Sequence, residues 1–236
     1  MDETGEAREF VDLDWSGAVL REVVLSGARM TGVLLDGADI DGVIDGLVVN
    51  GVEVAPLIEA ELDRLHPERL ALRPTDADGV RAAVEVVEAM WAPTMARAAA
   101  LPESDVWTSV RGEWCFADTV RHLVFVVDLW LGRAVLGQDD AFHPVGMPAA
   151  FMPMAGLGID APVQPTYAEV VAARADRMAR VRDFAAGLTD EALSRAAPSP
   201  SGPPVERTVL ECLGVILNEE WAHHQFAVRD LDLLKG

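Results

Sequence analysis

Leu217-Asn218-Glu219-Glu220-Trp221-Ala222-His223-His224-Gln225-Phe226 contains no glycine or proline and has apolar residues on both flanks, so it predicts helix. At about 100° per residue, Leu213, Leu217, Glu220, His224, Ala227 and Leu231 fall on one narrow stripe with Glu220 and His224 at its centre. Glu219 and His223 point away from that stripe. A carboxylate and an imidazole one turn apart on an apolar stripe must be paired or bind a metal. Spaced i,i+4, they offer two ligands suited to Zn²⁺ or a similar divalent ion. A third ligand from another helix would leave one coordination position open, which is the pattern of catalytic zinc, since structural zinc is closed by four protein ligands. The same spacing also occurs as an ordinary pair on a helix surface.

Working back along the chain, four amphipathic helices are expected, over 75 to about 101, 115 to 136, 166 to 188 and 206 to 234. Asp76 and Asp78 suit the first N-terminus and Thr166 the third. Pro93 should bend or split the first helix. Long loops over 137–165 and 195–205 leave room for crossovers in a four-helix bundle. On the second helix Cys115, Asp118, His122, Phe125, Val126 and Leu129 share a face, and His122 lies in the apolar run Leu123-Val124-Phe125-Val126-Val127. His122 is therefore either a core histidine bonded to a carbonyl or the missing third ligand. Asp118, one turn earlier, is a candidate to orient an imidazole N–H or simply a helix N-terminal acid. The Met- and Pro-rich stretch 143–157 suits a lid, a binding wall or a loop over the bundle end. His143 has only its location in favour of a substrate-facing role. Arg121 and Arg229 are read as surface charge, with contact to an acidic substrate as the alternative.

Toward the N-terminus the period changes. Every fifth residue from Phe10 is apolar: Phe10, Trp15, Leu20, Leu25, Met30, Leu35, Ile40. Two residues before these lie Leu13, Ala18, Val23, Ala28, Val33 and Ala38, mostly small. Neither a helix nor a plain strand gives a period of five. The pattern resembles the pentapeptide-repeat family, which implies a short right-handed quadrilateral β-helix over residues 8–52. That is about two coils, too few to be stable alone. A structural cap or dimer contact is the expected role, with a protein-docking surface as the alternative. Residues 53–73 form a connector with a short helix that Pro56 can begin and Pro67 stops. Residues 74–236 are the bundle, so the expected fold is mainly α.

The formal charge of −20 and pI near 4.4 argue against a nucleic-acid partner, because phosphate binding needs clustered Lys and Arg. There is no run of 18 or more uncharged apolar residues to span a membrane, and the acidic start Met1-Asp2-Glu3 is no signal peptide. A cytoplasmic protein is expected. Cys115 and Cys212 are expected to be buried free thiols and not metal ligands. A homodimer is the common case for such a chain.

Two segments carry a second resemblance. Gly112-Glu113-Trp114-Cys115-Phe116-Ala117-Asp118-Thr119-Val120-Arg121-His122-Leu123-Val124 and Asn218-Glu219-Glu220-Trp221-Ala222-His223-His224 resemble the DinB-like superfamily of metal-binding four-helix bundles. The version with E-x3-H on the last helix is similar to mycothiol-dependent maleylpyruvate isomerase and related actinobacterial thiol S-transferases. The resemblance implies a divalent metal, Zn²⁺ or else Ni²⁺ or Mn²⁺, on His122, Glu220 and His224. It implies a low-molecular-weight thiol such as mycothiol, presented as a metal-bound thiolate to a small electrophilic substrate. No counterpart of the isomerase's separate C-terminal domain follows the bundle. The rivals are a metal-binding protein with a non-catalytic site, whose repeats recruit a partner, and a hydrolase or isomerase that uses a metal-bound water.

Overall fold

The computed structural model describes residues 9–149, 164–200 and 206–234. The chain divides into two compact units, Met1–Asp41 and Gly42–Gly236.

In the first unit the period of five is written into the backbone. Asp12, Gly17, Glu22, Gly27, Gly32 and Gly37 all have positive φ, between 52° and 74°. Turns close every ten residues, through Ala18 N–H to Trp15 C=O, Ala28 to Leu25 and Ala38 to Leu35, at 2.9–3.0 Å. Glycine takes this conformation without the Cβ penalty that Asp12 and Glu22 bear. No strand forms among the described residues of this unit, and Phe10, Trp15, Leu20, Leu25, Met30, Leu35 and Ile40 remain exposed. The described residues of this unit thus show a repeat of turns, and not the sheet or buried interior expected of a quadrilateral β-helix.

The second unit opens with a hairpin, β1 (Val48–Val49) and β2 (Val52–Glu53), turned at Asn50-Gly51. Both turn residues have positive φ, 49° and 84°, the geometry for which an Asn-Gly pair is favoured. Helix α1 (Ala55–Leu65) starts with Pro56 in its first turn, where the missing N–H costs nothing. A 3-10 turn, Pro67–Leu72, follows.

Four long helices then surround a common core. They are α2 (Ala77–Ala99), α4 (Phe116–Val127), α5 (Tyr167–Ala186) and α7 (Val209–Leu233), with short α3 (Glu103–Val106) and α6 (Asp190–Leu193) between them. Helices α2 and α4 each pack against both α5 and α7. Their starts follow from side-chain caps: Asp76 accepts from Gly79 N–H at 2.7 Å, and Thr166 with Glu169 and Thr208 with Glu211 form capping boxes. Helix α2 continues through Pro93, so of the bend or split expected there the split does not occur; packing on two neighbours outweighs one lost hydrogen bond. Strands β3 (Ala196–Ala197) and β4 (Arg207–Thr208) pair antiparallel just ahead of α7, so the last helix begins later than residue 206.

Helix α4 is almost wholly buried, with Phe116, Leu123 and Phe125 at no more than 1% exposure; each such side chain contributes about 2–3 kcal/mol by leaving water. Beyond Val127 the helix widens into a π-helical segment, Asp128–Val135. Asp128 is fully buried at the junction. Arg177 of α5 donates to it through Nε at 2.6 Å, and His143 N–H donates to its Oδ2 at 2.8 Å. Those bonds satisfy a charge that would otherwise be costly inside the bundle. No helix among the described residues is long and apolar enough to cross a membrane.

Candidate metal centre

Of the expected stripe on α7, Leu213, Leu217, Glu220, Ala227 and Leu231 are buried and His224 is half-buried. Its central carboxylate has another partner, however. Glu220, 1% exposed, accepts from Arg174 Nη2 of α5 at 2.5 Å, while Trp91 Nε1–H of α2 donates to the Glu220 carbonyl at 3.2 Å. The Arg174 guanidinium also lies 5.5 Å from the centre of the Trp91 ring. Burial raises the Glu220 carboxyl above its ordinary range, against the pull of Arg174. His224 turns to α2, with Nε2 2.8 Å from Thr94 Oγ1 and its ring edge-on to Trp91. Burial lowers its tendency to take up a proton.

The group that converges lies one residue earlier. His122 Nε2 on α4 is 3.6 Å from Glu219 Oε2 on α7, and His223 Nε2 is 3.0 Å from the same oxygen. One donor atom from each of His122, Glu219 and His223 lies within 4.8 Å of the others. The pairing expected on Glu220 and His224 is thus replaced by Glu219 and His223. The reason is the neighbour each face meets: the stripe's centre meets Arg174 and Thr94, whereas its edge meets His122. Helix spacing alone ranks residues by burial, and the more buried carboxylate was already neutralised. The useful signal lay on α5, where Val170, Ala173, Arg174, Arg177 and Val181 form a buried stripe of their own and announce a cation for an inward acid.

The three donors sit under an aromatic wall. The Trp114 ring stacks on His223 at 6.0 Å and 12° and leans on His122 at 4.9 Å. Phe125 flanks His122 and Phe226 flanks His223. His122 is buried, while the side chain of Glu219 keeps 32% of its exposure, so the cluster opens at its carboxylate. Burial pushes the Glu219 carboxyl up, but hydrogen bonds from His122 and His223 and their charge outweigh it and hold the group at about 2. The carboxylate is therefore ionised at any physiological pH.

The donor set fits a divalent cation. Two imidazole nitrogens and one carboxylate oxygen are the ligand types Zn²⁺ takes in open sites. A ligating histidine commonly donates its second ring N–H to a carbonyl or carboxylate, and His122 Nδ1 lies 2.9 Å from the Met147 carbonyl. His223 Nδ1 is buried without a partner.

Other candidates fall elsewhere. Asp118 accepts from Arg121 Nη1 at 3.0 Å and from the Cys115 thiol at 3.1 Å, not from an imidazole. Arg121 is buried, and Arg229 is bound by Glu113 and Asp230. Cys115 and Cys212 are free, buried thiols. Of the 143–157 stretch, residues 150–157 lie outside the described residues. A surface cleft of about 430 Å³ lined by Arg69, Arg73, Leu210, Asn218 and Trp221 holds none of the three donors; their convergence, not its volume, marks the site.

No curated protein and no solved structure matches the chain. A family profile described as the DinB superfamily matches residues 86–227, which include all three donors and most of the four long helices. The chain belongs to the DinB superfamily.

Proposed function

We propose that the chain is a divalent-metal-dependent enzyme whose cation is held by His122 Nε2, the Glu219 carboxylate and His223 Nε2. We further propose that it transfers a low-molecular-weight thiol, of the mycothiol type, to a small electrophile in the cytoplasm. The supporting observation is the meeting of these three donor atoms within 4.8 Å across two helices, in a superfamily of metal-binding proteins. Zn²⁺ suits two imidazoles and a carboxylate best, with Ni²⁺ and Mn²⁺ as the other candidates.

A cation held there would supply Lewis acidity that favours the nucleophilic thiolate form of a thiol near neutral pH, the released proton passing to solvent. The chain's own residues do the rest. Glu219 brings one negative charge, so the filled site keeps a net charge near +1 and favours an anionic ligand. Trp114, Phe125 and Phe226 form an apolar wall beside the donors, which limits competing water. The Met147 carbonyl fixes which nitrogen of His122 faces the site.

The N-terminal repeats are read as a short pentapeptide-type β-helix serving as a cap or dimer contact. The left-handed residue at every fifth position supports this.

The test is turnover of a generic electrophile by the zinc-loaded chain with mycothiol or bacillithiol. Activity is expected, and it should vanish in folded Glu219→Gln and His223→Ala variants. Full turnover in those variants would contradict the reading.

A further inference from the structure

A strap of chain after the π-helical segment lies against α4 and ends on His122. His143 N–H donates to Asp128 Oδ2 at 2.8 Å, Val145 N–H to His143 Nδ1 at 3.1 Å, and Gly146 N–H to the His143 carbonyl at 2.8 Å. Two tethers then come from one residue. Arg121 Nε–H donates to the Val145 carbonyl at 2.9 Å, and the Arg121 carbonyl accepts from Met147 N–H at 3.2 Å. Asp118 holds the same guanidinium from the other side at 3.0 Å. Gly146 has little room for a side chain: a Cβ there would come within 3.1 Å of the strap's own His143 carbonyl oxygen and 3.4 Å of Phe125 Cβ on α4.

The strap delivers the Met147 carbonyl to His122 Nδ1 at 2.9 Å. A carbonyl only accepts, so the hydrogen must sit on Nδ1. In the neutral ring that leaves Nε2, the nitrogen facing Glu219, with its lone pair available. We infer that Arg121 is a positioning residue: by clamping the 143–147 strap it sets the tautomer and ring angle of His122 and so tunes the site's affinity for a cation. This rests on the metal reading proposed above for its consequence, but not for its structural half.

The two halves are read separately on the full chain. In metal-free, ¹⁵N-labelled protein at mildly alkaline pH, long-range ¹H–¹⁵N spectra report each imidazole tautomer, and the His122 signals are assigned by their loss in His122→Gln. Wild type should show His122 protonated on Nδ1. Arg121→Met and Gly146→Ala should each lose the dominance of that form, and Zn²⁺ affinity should fall roughly 10–100-fold, as for other partners that orient ligands. Gly146→Ala moves the strap without emptying a buried charge site, so it serves if Arg121→Met does not fold. Two variants that keep the Nδ1–H form with affinity within about twofold of wild type would overturn the inference. So would a wild-type His122 protonated on Nε2, or a loss of affinity with no change of tautomer. A tautomer change in a protein that binds no zinc would uphold the role of Arg121 and sink the metal reading alone.

Discussion

Glu219 and Glu220 are neighbours in the chain yet serve different helices. Glu219 Oε2 lies 3.6 Å from His122 Nε2 on α4, whereas Glu220 is bound by Arg174 on α5. One carboxylate is half open and ionised between two imidazoles, and the other is sealed in an ion pair. The two should therefore fail in different ways when replaced.

Glu220→Gln leaves the Arg174 guanidinium buried without its counter-charge. Breaking such a pair costs about 3–5 kcal/mol, a large share of the stability of any single domain. Urea denaturation of the metal-free protein should show a loss of that order. Glu219→Gln should cost less, since the side chain of Glu219 is partly solvated. Equal losses in the two variants would mean that the carboxylates share one environment.

Metal affinity should sort them the other way. Titration with Zn²⁺ or Co²⁺ should give one site per chain. Glu219→Gln and His223→Ala should weaken it by more than about 100-fold, beyond what loss of an outer partner costs. His224→Ala should leave the affinity close to wild type, because that ring is engaged with Thr94. A site lost in His224→Ala but kept in His223→Ala would restore the stripe-centred register.

Much of this protein could be read from its residues. The four long helices followed from apolar periodicity and from caps such as Thr166, and each lies within a few residues of where the pattern put it. The period of five was legible as well, because an apolar residue recurs at every fifth position from Phe10 to Ile40. His122 was legible because an imidazole in Leu123-Val124-Phe125-Val126-Val127 needs a reason. The register on α7 was not. A helical wheel puts Glu220 and His224 at the centre of the apolar stripe; Glu220 is buried there but His224 only half-buried, and the wheel cannot show that Arg174 and Thr94 face them. A cation site must also be reached from outside, which favours the edge of a stripe over its centre. The strap was hidden for a different reason: its bonds run through backbone carbonyls, which every residue carries.

The acid limb of stability should carry a Glu219 signature. Its carboxyl lies at about 2 in the fold against an ordinary 4.5, so the folded state binds its proton less readily than the unfolded chain. The resulting stabilisation is complete above pH 4.5 and is lost as pH falls from 4.5 toward about 2. In metal-free protein the stability gap between wild type and Glu219→Gln should shrink over that window. A gap that stays constant there would contradict the depressed value.

Cys115 should be inert in the native state. Burial and the hydrogen bond to Asp118 push its thiol up to about 12, and burial raises Cys212 as well. The thiolate is the reactive form, so iodoacetamide at pH 8 should label neither cysteine until the chain is unfolded. Rapid native labelling of Cys115 would place it in a different environment and reopen it as a nucleophile.

The central claim is that α4 and α7 hold a cation between His122, Glu219 and His223. Anomalous diffraction at the zinc edge from crystals of the zinc-loaded chain tests it most directly. One peak is expected, about 2.0–2.2 Å from His122 Nε2, a Glu219 carboxylate oxygen and His223 Nε2. A peak on Glu220 and His224, or no peak between α4 and α7 in zinc-saturated crystals, would contradict it.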